Sequence, residues 1–64
     1  MCESTVYLVD KNGKESLFLE LVDKIVPDKD LIYLEDILGR KKTVNARIRE
    51  LALVDHRIVL EEIS

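Results

Sequence analysis

Asp30-Leu31-Ile32-Tyr33-Leu34-Glu35-Asp36-Ile37-Leu38-Gly39 can be read in two ways, and the choice decides the fold. In the first, Asp30 caps a helix that carries Leu31, Leu34, Ile37 and Leu38 on one side and stops at Gly39. In the second, Ile32 and Leu34 alternate with Tyr33 and Glu35, as in a half-buried strand. Upstream, Leu17, Phe18, Leu21, Val22 and Ile25 also fit a helical stripe. The same segment alternates Leu17, Leu19 and Leu21 with Phe18, Glu20 and Val22, so pattern alone leaves both readings open.

The flanks are less ambiguous. Thr43, Asn45, Arg47 and Arg49 alternate with Val44, Ala46 and Ile48, giving one polar and one apolar face at period two. The apolar phase then moves to Leu51 and Leu53, which is what one extra residue near Arg49-Glu50, a β-bulge, would do. Val54-Asp55-His56-Arg57 reads as a turn into a final strand from Ile58 to Ile63. At the other end, Ser4 to Val9 is rich in β-branched and aromatic residues. The Asn12-Gly13 pair that follows is a strong hairpin signal. Ser16 to Val26 comes next and is expected to stop at a turn begun by Pro27. The expected architecture is all-β: a small antiparallel barrel, closed so that few edges stay exposed.

At 64 residues the chain is expected to form one domain, 1–64, with a thin core that gains from a partner subunit or a metal. Hydrophobic residues make up 47% and charged residues 36%, a balance that favours a folded domain over a disordered tail. No apolar run approaches the roughly 18 residues of a membrane span, and the start has no signal-peptide pattern. A single cysteine forms no internal disulfide, which fits a reducing cytoplasm.

Catalytic signatures are missing. The glycines, Gly13 and Gly39, are too far apart for a phosphate loop, and no local motif orients Ser16, Asp55 and His56 as a triad. The expectation is a non-enzyme. His56 reads as a surface histidine, and Glu35-Asp36 and Glu61-Glu62 as solvated strand ends. Tyr7, Phe18 and Tyr33 read as core and barrel-surface residues rather than a base-stacking platform. Half of the ten basic residues, Arg40, Lys41, Lys42, Arg47 and Arg49, fall in one ten-residue stretch. This patch keeps RNA binding as an alternative function, against a net charge of −3.

Cys2 is the remaining candidate. Its sulfur, its backbone nitrogen and the Met1 amine would close two fused five-membered chelate rings. If Met1 is removed, the Cys2 amine and sulfur still form one. Planar nitrogen-thiolate donor sets suit Ni(II) or Cu(II), whereas tetrahedral thiolate-rich sites suit zinc. One arm supplies too few ligands, but a two-fold dimer would set one metal between two copies.

The Met1-Cys2 start, the Thr5-Val6-Tyr7-Leu8 strand, the Ile32 to Gly39 segment and the Leu51 to Leu60 ending together resemble the CooT family. These small proteins are also described as predicted RNA-binding proteins. The likeness runs along essentially the whole chain. It implies an SH3-like β-barrel, a homodimer, and Ni(II) bound at the dimer interface through Cys2, with Met1 contributing its amine. It also implies a metallochaperone-like role in nickel delivery to carbon monoxide dehydrogenase or another nickel enzyme. The resemblance, and not periodicity, tips the middle segments to strands.

Overall fold

The computed structural model describes residues 3–63, all of it strand, turn or coil. Five strands follow in order: β1 (Ser4–Val9), β2 (Glu15–Asp28), β3 (Leu31–Asp36), β4 (Lys41–Ala52) and β5 (Arg57–Glu62). Each pairs with the next, and β5 returns to β1, closing the barrel. Four ladders are antiparallel, as expected; the closing seam of β1 with β5 is parallel, with Thr5 opposite Arg57 and Val9 opposite Glu61. The architecture is compatible with the SH3-like barrel that the family resemblance implies. Neither stretch with a helical stripe is a helix: Leu17 to Ile25 lies in β2, and of the second stretch Leu31–Asp36 is β3 while Ile37, Leu38 and Gly39 form the turn after it. No helix among the described residues is long and apolar enough to cross a membrane.

Inward-facing side chains fill the barrel. Val6, Leu19, Val22, Ile32, Leu34, Ala46, Ile58 and Leu60 form the buried cluster, with Leu8, Phe18, Ile25 and Val44 packed against it. Ile32 and Leu34 are the inward pair of β3, so the period-two reading of that segment is the correct one.

A barrel this small must bend its long strands sharply. β2 does so with extra residues: Ser4 faces Val22, Val6 faces Leu19 and Tyr7 faces Leu17, so β2 spends more residues than β1 over the same span. A further shift at Asp23 separates Val22 opposite Asp36 from Lys24 opposite Glu35. Leu21, inside this bend, takes a positive φ of 56°, a conformation costly for an L side chain. β4 carries the expected bulge: Ile48 faces Leu60 and Glu50 faces Val59, leaving Arg49 as the extra residue. Pro27 does not begin the next turn. It lies in β2 opposite Ile32, and the chain reverses at Lys29-Asp30, where Lys29 takes the positive φ of 58°.

Two of the connections use one device. In the β1–β2 loop, the Asp10 carboxylate accepts from the backbone N–H of Asn12 and of Lys14, both at 2.9 Å. In the β3–β4 loop, the Asp36 carboxylate accepts from the N–H of Leu38 at 2.9 Å and of Arg40 at 2.8 Å. Gly13 (φ 83°) and Gly39 (φ 87°) hold the left-handed position of each, and each donates its N–H to the carbonyl of its aspartate. An Asp-x-x-Gly-basic pattern thus encodes the same turn twice.

Candidate functional site

Met1 and Cys2, the metal-ligating candidates, lie outside the described residues. What the structure gives is the end of the barrel from which the chain leads to them. Ser4 opens β1 opposite Val22 and lines a pocket of about 190 Å³ with Val22, Asp23, Lys24, Ile25 and Ile58. Thr5 donates its N–H to the carbonyl of His56 at 2.9 Å, so the β4–β5 turn sits against the start of β1. That turn is unusually apolar for a surface: Val54 is 93% exposed, Leu53 70%, and Leu51 just before it 51%. His56 is exposed, as expected of a surface histidine, and holds the turn in a positive φ of 53°. Among the described residues, no three His, Cys, Asp or Glu side chains converge to hold a metal ion.

The basic stretch divides in space, Arg40, Lys41 and Lys42 lining one groove and Arg47 and Arg49 lying away from it. Arg40 sits in the β3–β4 turn, where its guanidinium meets the buried Asp36 carboxylate. Lys42 reaches back to β2, donating to the Phe18 carbonyl at 2.9 Å with its ammonium 4.6 Å from the Phe18 ring centroid. Arg47 pairs with Glu61 at 3.3 Å across the β4–β5 ladder. Arg49 occupies the bulge further along β4. Lys41 is exposed on the outer side of β4, beside Glu35 of β3. Arg40, Lys41 and Lys42 share a groove with Leu17, Phe18, Leu19 and Glu20; Arg47 and Arg49 do not line it. The meeting of Phe18 with Lys42, 24 residues apart, has no local signal in the sequence.

The aromatics are likewise distributed. Tyr7 lies on the outer side of β1 with the Arg57 guanidinium 4.7 Å from its ring centroid. Tyr33, half-buried on β3, donates its hydroxyl to Glu35 at 3.0 Å. Burial, then the hydrogen bond to Glu35 and its negative charge, push the Tyr33 hydroxyl above its ordinary pKa. Ser16 pairs with Leu8, while His56 adjoins Thr5, so two residues of β1, Val6 and Tyr7, lie between the members of the triad that could be drawn on paper.

Glu35 and Glu61 are paired charges at the ladder surface, with Lys24 and Arg47 respectively. Asp36 differs from both. It is 2% exposed and is the sole buried charged side chain among the described residues. Burial on its own would push its carboxyl up in pKa. The Arg40 N–H, the Arg40 guanidinium and the Leu38 N–H outweigh that and hold it below the usual carboxylate value.

A family model described as "CO dehydrogenase accessory protein CooT" matches residues 1–61. The chain belongs to the CooT family. The chain is also similar to a solved structure, the crystal structure of "putative CooT from Carboxydothermus hydrogenoformans". It is 46% identical, covers 98% of this chain and 100% of its own, and superposes with a TM-score of 0.86. No curated protein matches. CooT is by description an accessory protein of CO dehydrogenase. The CooT match begins at residue 1 and so includes Met1 and Cys2.

Proposed function

We propose that this chain is a non-enzymatic nickel carrier of the cytoplasm, binding Ni(II) as cargo through Cys2 at a homodimer interface and passing it to carbon monoxide dehydrogenase or another nickel enzyme. The observation that carries the reading is the CooT match, which starts at residue 1 and therefore spans the Met1-Cys2 start. The chemistry of those residues supports it. A thiolate with adjacent main-chain nitrogens is a donor set suited to planar Ni(II), and the Met1 amine extends the chelate. Two chains sharing one ion double the donors and shield the thiolates from solvent.

The apolar β4–β5 turn supports the dimer. Leu51, Leu53 and Val54 are exposed beside the start of β1, and covering such a patch with a second copy removes it from water. Metal capture and dimer contact would then occupy one end of the barrel. Transfer to the acceptor proceeds by ligand exchange, the thiolate and nitrogen donors at the chain terminus being displaced stepwise by donors of the acceptor.

Nickel titration of untagged protein tests this reading. The expected result is a thiolate-to-nickel charge-transfer band saturating at one ion per two chains, absent from Cys2→Ser. An unchanged spectrum in Cys2→Ser overturns it.

A further inference from the structure

β2 changes neighbours part-way along, and this leaves a stretch of its backbone with one strand partner instead of two. Glu15, Ser16, Leu17 and Leu19 pair with β1, but the ladder to β3 begins only at Val22. Facing the open edge is the Arg40 to Lys42 segment. The Phe18 carbonyl on that edge is met by the Lys42 ammonium and not by a strand. Leu17, Phe18, Leu19 and Glu20 on one side and Arg40, Lys41 and Lys42 on the other enclose a groove of about 520 Å³. That falls within the roughly 300–1,000 Å³ of ligand-binding clefts.

The lining specifies an occupant. One wall is apolar, with Leu17 56% exposed at its rim and Phe18 half-buried behind it. The other wall holds three consecutive cations in a chain whose net charge is −3. Of these, Arg40 is engaged by Asp36 and Lys42 by Phe18, whereas Lys41 has no ion-pair partner among the described residues. An unpaired strand edge accepts an extended chain through main-chain hydrogen bonds, and the neighbouring pockets then select its side chains. We propose that this groove binds an extended acidic segment of a partner protein by strand addition to Glu15–Glu20. A carboxylate of that segment faces Lys41, and an apolar side chain rests on Leu17 and Phe18.

Nucleic acid suits the groove less well. Phe18 is its one aromatic, and the Lys42 ammonium already occupies one face of that ring, so the groove offers no run of rings on which successive bases could stack. Lysines also serve simply to keep strand edges from self-pairing. That role explains Lys41 and Lys42 but not an exposed leucine next to them.

The test uses isotope-labelled Cys2→Ser protein, so that its outcome is independent of nickel. The probe is a capped heptapeptide alternating acidic and aliphatic residues, Glu-Val-Asp-Leu-Glu-Val-Asp. Backbone amide shifts are expected at Ser16–Glu20 and Arg40–Lys42. Binding is expected to weaken by about ten-fold in Lys41→Glu and in Leu17→Glu, both surface positions whose folded spectra serve as controls. N-methylation of alternate peptide amides is expected to abolish it. Absence of shifts at millimolar peptide overturns the proposal, as do shifts elsewhere on the barrel or equal binding of the peptide with lysine at every acidic position. Binding of an oligouridylate at these residues with the acidic peptide silent overturns it in favour of RNA.

Discussion

Arg40 lays its guanidinium on the carboxylate of Asp36, four residues earlier, and so neutralises the buried acid of the barrel across the β3–β4 turn. The acid is fully covered while 61% of the Arg40 side chain stays exposed, so the pair sits at the boundary of the core. Asp36 also accepts the two backbone N–H groups that fix the turn. Its charge is therefore part of the fold.

This has a pH signature. Because the folded-state pKa of Asp36 lies below its unfolded value of 3.8, its ionisation contributes stability that is fully present above that value. The contribution is lost as pH falls through the folded pKa. In Asp36→Asn, which keeps the shape but not the charge, thermal midpoints are expected to drop by several degrees at pH 7 and to depend less on pH in this acid window. Asp10→Asn, at the exposed copy of the turn, is expected to lose less. Calorimetric scans of the three proteins between pH 2 and pH 7 make the comparison.

Gly39→Ala isolates the backbone component of the same turn. A Cβ at Gly39 meets nothing within 4 Å, so its cost is the left-handed conformation alone, about 1–2 kcal/mol. Gly39→Asn is expected to recover most of this. Urea unfolding would read both, and a loss several times larger would mean that the side chain collides after all.

Leu53 and Val54 are expected to matter for assembly and little for the fold, since both are already in solvent in the single chain. The double substitution Leu53→Glu, Val54→Glu should leave the monomer's melting unchanged. It should shift sedimentation towards the monomer and weaken nickel binding together with it. Retained dimerisation in this variant would place the subunit interface elsewhere.

Nickel affinity should fall with acidity because the bound sulfur is a thiolate, and a free cysteine thiol titrates near 8.5. A residue or tag fused ahead of Met1 should weaken binding without abolishing it, by moving the terminal amine out of the chelate. Competition against a colorimetric chelator across pH 6 to 9 measures both effects.

The fold was only partly legible, for a physical reason visible in β2. Its core-facing positions, the buried Leu19 and Val22 and the half-buried Ile25, recur every three residues and not every two. Each bulge inserts one residue between successive inward positions: two steps on β1 from Val6 to Ser4 match three on β2 from Leu19 to Val22. Two steps on β3 from Asp36 to Leu34 match three more, from Val22 to Ile25. A repeatedly bulged strand therefore writes a helix-like pattern. In β4 the one bulge falls after a long regular stretch, and there Arg49-Glu50 could be located from the phase change alone. The Asp-x-x-Gly-basic turns are local and readable, although Gly39 fits a helix stop equally well. The open edge of β2 and the Phe18–Lys42 contact depend on which strands become neighbours, which no short window reveals. Cys2 could be singled out only by its chemistry and by family resemblance.

The parallel seam of β1 with β5 has a practical corollary for handling the molecule. Both strands point the same way, so Glu3 leaves the barrel beside Arg57 while Ile63 leaves beyond Val9 and Glu61. A six-residue strand, roughly 17 Å, lies between the two exits. A fluorophore, tether or fusion partner joined after Ile63 hangs from the opposite pole and leaves the first residues unencumbered.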